Sequence, residues 1–333
     1  MPINAKNTNL VNLIQKKRSC RRSSCRVYAS NLVRINREFS SKPMNQDLGW
    51  LKADATKILN GIKKLESVNV ARNLMSAAII GLDVLGDTKN KAKFNAVLKE
   101  LNEKKNQMQR EGTLTAKQAA VTVPWNRIVN LRKLLSKEVR LAGLYKREVV
   151  KAKEFNKIQR ALLLSLYTLL PVVRLDYADL EFVTPKEFEA IDDKQTRNLL
   201  VMARGGYKIY WNHFKTSRAL GEVIIHIKKY SPLLQRLLVT HTRYLKKHFP
   251  DNRYLLLQSN LSGEKLSRNA LTRYLQRIFQ QYFRKNISST ALRRIFLSHK
   301  YDRKELLAQE EEHRAMMHSR STAIADYVKS PAE

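Results

Sequence analysis

The stretch GGYKIYWNHFKTSRALGEVIIHI, residues 205–227, decides the fold class because it is the one segment with a clear β-hairpin pattern. Aromatic and β-branched residues flank the polar turn KTSRALG, which is typical of two short paired strands. On both sides of this stretch apolar residues recur at helical spacing, and the chain holds only 10 Gly and 8 Pro. We therefore expect a mainly α-helical protein with a small β-hairpin or sheet.

The helical pattern divides the chain into two domains. Residues 1–26 are polar and basic and are expected to form a flexible arm. Residues 27–102 carry the periodicity of about four short helices, which predicts an N-terminal helical bundle. In residues 103–124 a charged helix fades and Gly112 breaks it, so this segment is expected to be the linker. Residues 125–333 form the second domain, an α+β domain that contains the hairpin.

The net charge of the chain limits the classes of partner that it can bind. Lys and Arg total 63 against 29 acidic residues, which gives a net charge of +34. So many positive charges repel one another unless a polyanion neutralises them, and nucleic acid is the usual polyanion. A membrane-surface protein would need one dominant basic amphipathic helix, and none stands apart. Six basic residues of the arm are expected to contact the DNA backbone, with nuclear import as an overlapping alternative: Lys16, Lys17, Arg18, Arg21, Arg22 and Arg26.

The two cysteines and the hydropathy pattern indicate in which cellular compartment the protein is expected. Cys20 and Cys25 are the only cysteines, so we expect no disulfide framework and a reducing compartment. No nearby His or Cys completes a zinc site with them. The sequence has no apolar run of about 18 residues and no apolar signal segment at its start, so no membrane partner is expected.

Cleavage of a DNA phosphodiester without a metal ion needs three kinds of group. A nucleophile must conserve the bond energy, fixed cations must hold the non-bridging oxygens, and a general acid must protonate the leaving 5′-oxygen. Arginine suits the second role because its planar fork matches phosphate. A tyrosine nucleophile, with an ordinary pKa of roughly 10, needs cations and a base beside it. The second domain offers such a set in the order Arg174, Lys215, Arg293, His318 and Tyr327.

This order resembles the tyrosine recombinase (phage integrase) family. In that family an Arg, a hairpin Lys, a His-x-x-Arg box, a Gly-His box and a Tyr follow one another. The strongest likeness is His318-Ser319 followed by Ser321-Thr322 and Tyr327, which resembles the family's GHS…TT…Y ending. The phrases LYTLLPVVRLDY and FKTSRALGEVIIHI resemble recombinases of giant viruses, virophages and related mobile elements.

The resemblance covers about residues 155–330 and implies a tyrosine-recombinase catalytic domain, with the N-terminal bundle as a core-binding domain on DNA. It implies that Tyr327 attacks a phosphodiester, forms a 3′-phosphotyrosyl bond and frees a 5′-hydroxyl. A 5′-hydroxyl of a second duplex then reverses the attack. The implied partners are double-stranded DNA and further copies of the chain, four in a synapse, with no cofactor or metal. The expected place is inside the cell on DNA, in the nucleus or viral factory of a host.

Some positions depart from the family pattern. Thr290 stands where the His-x-x-Arg box has His or Lys, so only a helper role is expected of it. Met317 replaces the Gly before the last His, and the acidic residue after the first Arg, Asp176, is offset by one. The hairpin lysine could be Lys208, but we favour Lys215 because it occupies the turn.

Two alternatives from other classes stay open. A type IB topoisomerase uses the same tyrosine chemistry to relax supercoils, cutting and resealing one strand without a partner duplex. A non-catalytic DNA-binding relative would keep the fold and lose the reaction. An assay on paired duplexes separates these alternatives from recombination.

Overall fold

The computed structural model describes residues 5–45 and 47–315, and the chain divides into two compact units, Met1–Leu114 and Thr115–Glu333. Each unit has its own hydrophobic core. The predicted fold class is confirmed at the coarse level, because the protein is mainly helical with one small mixed sheet. The division between the units falls inside the segment 103–124 that the sequence marks as a linker.

Unit 1 is a helical bundle. Its helices within the described residues are α1 (Ala5–Lys17), α2 (Arg22–Phe39), α3 (Gly49–Ala53), α4 (Ala55–Lys63), α5 (Val68–Leu85) and α6 (Thr88–Glu111). Helix α5 begins at Ser67, whose hydroxyl accepts the N–H of Val70 at 3.4 Å. It ends at Gly86, which has a φ of 70° and therefore takes the left-handed conformation that glycine adopts without strain.

Helix α5 is the apolar helix at the centre of unit 1. By length and composition it is apolar enough to cross a membrane, with a mean hydropathy of 1.3, although polar residues such as Arg72 and Asp83 interrupt its apolar sequence. Half of it is buried inside the protein, and Leu74, Met75 and Leu82 are at most 1% exposed. Because α1, α2, α3, α4 and α6 all contact α5, its apolar surface is that of the central helix of the unit 1 core.

The N-terminal arm is a correction to a sequence expectation. Residues Ala5–Lys17 form helix α1, and its apolar side chains Leu10, Val11 and Ile14 are at most 2% exposed in the unit 1 core. These three positions share one face of a helix, so they bury together where the sequence indicated a flexible segment. The first domain therefore begins well before residue 27.

The cysteines and the linker are further corrections. Cys20 and Cys25 are joined in a disulfide that spans the turn between α1 and α2, contrary to the expectation of no disulfide. The expected linker 103–124 is largely helical: α6 continues to Glu111 and stops at Gly112, as predicted for that glycine. A short helix, α7 (Ala116–Ala120), follows in unit 2.

Unit 2 combines further helices with the sheet. Its longer described helices are α8 (Trp125–Leu141), α9 (Ala152–Leu169), α13 (Pro232–His248), α14 (Arg268–Phe283), α15 (Ser289–Lys300) and α16 (Arg303–Ala315). The short ones are α10 (Pro185–Glu189), α11 (Ser217–Leu220) and α12 (Ile227–Tyr230), with 3-10 turns at Leu144–Lys146, Asp176–Asp179 and Lys194–Thr196.

The sheet has the order β1-β2-β3-β4, with strands Leu180–Val183, Asn198–Val201, Lys208–Trp211 and Val223–His226. Strands β3 and β4 are antiparallel, with Trp211 opposite Val223, so the predicted hairpin is confirmed. Strand β2 pairs antiparallel with β3 and parallel with β1. The first two strands were not predicted, because all their residues are buried and they show no polar–apolar alternation.

Candidate functional site

Arg174 lies in the segment that leaves the buried helix α9. The Tyr167 hydroxyl in the last turn of α9 donates to the carbonyl oxygen of Arg174, and the Tyr177 hydroxyl donates to the carbonyl oxygen of Leu166 at 3.2 Å. The two phenol rings pack edge to face with centroids 5.1 Å apart. Burial raises the pKa of both tyrosines well above the usual value, so both remain protonated donors. The backbone of Arg174 is thus fixed while its side chain is exposed.

Arg293 and its neighbour Arg294 have different surroundings on α15. Ser288 caps the helix by accepting the N–H of Ala291 at 3.3 Å. The Arg294 guanidinium donates to the carbonyl oxygen of Gln118 at 3.0 Å and to the Thr122 hydroxyl at 3.1 Å, so it holds α15 against the start of unit 2. Arg293 is half-buried and forms no hydrogen bond or ion pair with any residue that the structure describes.

Arg293 and Arg174 interact electrostatically. Burial lowers the pKa of Arg293, the positive charge of Arg174 lowers it further, and the carboxylate of Asp176 works in the opposite direction. Asp176 is only 7% exposed and accepts a hydrogen bond from Arg268 at 3.3 Å. Two guanidinium groups from distant parts of the sequence therefore influence each other electrostatically, and the carboxylate that offsets this repulsion already has a partner in Arg268.

Arg268 is a residue that the sequence interpretation missed. From the first turn of α14 it donates to Asp179 at 2.6 Å as well as to Asp176. Burial works to raise the pKa of Asp179, but Arg268 and Lys265 outweigh burial and hold it below the usual range. Arg268 thus fixes the turn that follows Arg174, and no local pattern could have revealed a pairing across so many residues.

Lys215 lies in the connection between β3 and β4, as predicted, and its side chain is exposed. The connection is fixed where it leaves β3, because the side-chain oxygen of Asn198 accepts the N–H groups of Asn212 at 3.1 Å and His213 at 2.9 Å. Asn198 is 1% exposed, so this anchor is internal. Within residues 5–45 and 47–315, Lys215 forms no hydrogen bond or ion pair.

One aromatic cluster supports both the Arg174 segment and the Lys215 connection. Trp211, the last residue of β3, packs against Tyr177 with ring centroids 5.5 Å apart, and Tyr177 packs against Tyr167. All three rings are at most 4% exposed. A rigid buried cluster of this kind positions the two segments relative to the same core.

The other predicted residues of the described chain have clear positions. Thr290 is exposed in the first turn of α15, three residues before Arg293 and so on a similar face of the helix. Lys208, the alternative to Lys215, is the first residue of β3, pairs with His226 and is half-buried, so it does not occupy the turn. His318 and Tyr327 lie outside the described residues.

The six basic residues of the expected DNA contact lie around the turn between α1 and α2, and all are exposed: Lys16, Lys17, Arg18, Arg21, Arg22 and Arg26. We call this set the basic turn. The Cys20–Cys25 disulfide closes it, and the Arg18 guanidinium pairs with Asp83 of α5 at 3.4 Å. The basic turn is therefore part of the folded surface of unit 1.

Comparison of the chain with protein-family models, curated proteins and solved structures finds no match. No group of three or more His, Cys, Asp or Glu side chains is placed to hold a metal ion in the part of the chain that the structure describes. What unit 2 does is therefore inferred from the chemistry of its own residues.

Proposed function

We propose that this chain is a site-specific DNA recombinase or integrase of the tyrosine type. In this proposal the Tyr327 hydroxyl gives up its proton to a base and its oxygen attacks a phosphodiester, a 3′-phosphotyrosyl bond forms, and the bond to the 5′-oxygen breaks as that oxygen takes up a proton. A 5′-hydroxyl of another duplex then attacks the phosphotyrosyl ester, releases Tyr327 and completes strand exchange. The ester conserves the energy of the broken bond, so the two steps balance without ATP.

The electrostatic repulsion between Arg174 and the half-buried Arg293 is the observation that carries this proposal. Repulsion between like charges destabilises a fold, and burial of Arg293 adds to that cost. A phosphate between the two guanidinium groups would remove the repulsion and give each fork a pair of oxygens to hold. Because Asp176 is engaged by Arg268, it neutralises the pair only in part.

The roles of Lys215, Thr290, His318 and Tyr327 are assigned from their positions and from the chemistry of their side chains. Lys215 sits on an anchored, exposed connection, so its ammonium group is suited to protonate the leaving 5′-oxygen. Thr290 offers only a hydroxyl, which is a poor acid or base near neutral pH, so we assign it a helper role. By the resemblance, His318 hydrogen-bonds the phosphate and Tyr327 is the nucleophile.

The proposed partners are duplex DNA and other copies of the same chain, four in a synapse, on the DNA of a mobile element. A net charge of +34 supports a polyanion partner, and the basic turn offers a phosphate-contacting surface in unit 1. The proposed location is inside a cell, on DNA in the nucleus or viral factory of a host.

An assay with two labelled duplexes and a supercoiled plasmid tests this function against its alternatives. We expect joined strands that carry one label from each duplex. Relaxation of the plasmid without exchanged strands would identify a topoisomerase. Binding without any covalent adduct or exchange would identify a non-catalytic DNA-binding protein, and either result would overturn the proposal.

A further inference from the structure

Unit 2 contains a second cationic site that shares no residue with the Arg174–Arg293 pair. A cavity of about 540 Å³ is enclosed by α8, α9, α14 and the segment at Ser259. Four basic side chains and one carboxylate line it: Lys153, Lys157, Arg160, Arg277 and Glu138. Cavities of this size hold small-molecule ligands.

The basic residues of the cavity lie on two helices, α9 and α14. Lys153, Lys157 and Arg160 are spaced by four and three residues along α9, so they share one face of that helix. On α14, Arg277 lines both the cavity and a shallower groove of about 510 Å³ beside it, and Arg273, four residues earlier, lines the groove alone. In the described chain none of these five residues forms an ion pair with a carboxylate.

Arg160 is the most constrained of these cations. One terminal nitrogen of its guanidinium donates to the side-chain oxygen of Gln281 at 2.8 Å. Its Nε is buried and has no hydrogen-bond partner among the described residues. An unsatisfied buried donor in a cationic cavity is costly, and an anionic acceptor from a ligand would satisfy it.

Polar side chains beside Arg160 are already fixed in place. The Asn156 side-chain oxygen accepts hydrogen bonds from the Ser259 hydroxyl at 2.7 Å and from the Tyr274 hydroxyl at 3.1 Å. The amide N–H groups of Asn156 consequently remain available as further donors. Fixed neutral donors next to several cations form a prearranged anion site.

We propose that this cavity binds a ligand with two or more adjacent phosphate groups, at a site separate from the phosphodiester that Arg174 and Arg293 hold. Cations from two helices, continued by Arg273 in the adjoining groove, suit several linked anionic groups better than one. A free nucleotide polyphosphate and consecutive phosphates of a nucleic-acid backbone both present this chemistry. The proposal goes beyond the recombinase function and does not depend on the chemistry of Tyr327.

The test is calorimetric titration of the full chain at 0.15 M salt with inorganic tripolyphosphate, with ATP and with a DNA duplex. The test variant is Lys157→Gln/Arg277→Gln, which changes two exposed side chains of the cavity. The control, Lys229→Gln/Arg236→Gln, removes the same charge from exposed positions elsewhere in unit 2. Circular dichroism melting verifies that both variants are folded.

We expect the test variant to weaken binding of at least one probe by about tenfold for each lost phosphate contact, well beyond the loss in the control. Tighter binding of ATP than of tripolyphosphate would identify a free nucleotide as the source. A selective loss with the duplex, which tripolyphosphate competes away, would identify a nucleic-acid backbone.

Equal losses in the test variant and the control, with all three probes, would overturn the proposal, because the net positive charge alone would then explain binding. It would also be overturned if a peptide of residues 303–312, which carries three consecutive glutamates, were the one probe that needs Lys157 and Arg277. Each probe is followed by binding alone. A failure here is therefore distinguishable from a failure of the proposed cleavage reaction.

Discussion

At the scale of single residues, the two adjacent arginines of α15 show what a sequence pattern leaves undecided. Arg293 and Arg294 are chemically identical neighbours, and the spacing alone favours neither by much. Arg294 is held by Gln118 and Thr122, whereas Arg293 has only the charges of Arg174 and Asp176 around it. The contacts thus assign a structural role to Arg294 and leave Arg293 available for an anion.

We predict that one alanine variant loses DNA cleavage and that the other loses stability. Arg293→Ala should slow DNA cleavage by roughly two to three orders of magnitude, the usual cost of losing one prearranged donor at a reacting phosphate, with little loss of binding. Arg294→Ala should retain cleavage but lower the free energy of unfolding by about 1–3 kcal/mol, because its hydrogen bonds are lost. Single-turnover cleavage and urea unfolding measure the two effects. Equal loss of cleavage in both variants would contradict the assignment.

Lys215 and Thr290 give a second residue-scale prediction. Lys215→Ala should lose most cleavage activity because the leaving 5′-oxygen then lacks its acid, whereas Thr290→Ala should keep most of it. A substrate with sulfur at the 5′-bridging position needs no proton, so it should rescue Lys215→Ala selectively. The measurement is the ratio of cleavage rates on the two substrates. An unchanged ratio in Lys215→Ala would remove Lys215 from the acid role.

At the scale of elements, local chemistry predicted where helices begin and end. Serine is a typical residue at a helix start, and the hydroxyls of Ser231, Ser267 and Ser288 each accept a backbone N–H of the first turn. Glycine is typical of a helix end, and Gly86 and Gly112 both have a positive φ there. These outcomes were predictable because a cap depends on only a few neighbouring residues.

Elements that depend on tertiary contacts were missed. Strands β1 and β2 have four residues each and are wholly buried, so their sequences LEFV and NLLV show no alternation. The polar composition of α1 indicates a flexible arm, but it includes three positions that are buried in the core. In the site, the order of Arg174, Lys215 and Arg293 was readable from the sequence. The contact of Arg268 with Asp176 was not, since it joins distant segments.

The basic turn gives a prediction about DNA affinity. Gln substitution of Lys16, Lys17, Arg21 and Arg22 should weaken binding to all DNA sequences about equally. It should also flatten the dependence of log K on log salt by about 0.9 for each lost phosphate contact. Arg18 is kept because it pairs with Asp83. Fluorescence anisotropy from 50 to 300 mM salt, a range on the order of that in which such contacts are screened, measures the slope.

The control replaces four exposed lysines of α6, which lies in the same unit: Lys89, Lys93, Lys99 and Lys104. A truncation of residues 1–26 is a poorer test, because it also removes Leu10, Val11 and Ile14 from the core. A loss of affinity confined to one DNA sequence would mean that the basic turn reads bases, contrary to the account.

His241 gives a prediction for the pH dependence of stability. It is fully buried in α13, where its Nδ1 lies 3.2 Å from the Tyr145 hydroxyl and its Nε2 lies 3.1 Å from the carbonyl oxygen of Leu255. Burial lowers the pKa of His241 to about 4, although the hydrogen bond to Leu255 opposes this shift. The folded protein therefore holds a neutral imidazole, while the unfolded chain takes up a proton below its ordinary pKa of about 6.5.

The stabilising contribution of His241 should consequently be complete above pH 6.5 and lost as the pH falls toward 4, by up to about 3 kcal/mol. Urea unfolding at several pH values from about 7.5 to 4.5 measures this loss across the range in which the unfolded histidine titrates. In His241→Gln the free energy of unfolding should fall less over this pH range, because glutamine does not titrate. An identical fall in both proteins would show that other groups cause it.

For the whole molecule, the net positive charge and the candidate site both indicate a phosphate-containing partner. The chain has 63 basic and 29 acidic residues, and a bound polyanion would neutralise this excess of positive charge. At least three cationic features could contact it: the basic turn, the Arg174–Arg293 pair and the α9–α14 cavity. In the pair, the backbone of Arg174 is fixed by the buried Tyr167 hydroxyl, and Arg293 lies on the capped helix α15. Fixed geometry is what a reacting phosphate requires, whereas general DNA affinity does not require it.

A nicked suicide substrate decides whether Tyr327 becomes covalently joined to DNA. Such a substrate loses a short fragment after cleavage, so the phosphotyrosyl protein accumulates. We predict an adduct with the wild-type chain whose DNA-linked peptide, by mass spectrometry, contains Tyr327. Tyr327→Phe should bind the same DNA with unchanged affinity and give no adduct. An adduct at the wild-type level in Tyr327→Phe, or one linked to another residue, would contradict the account.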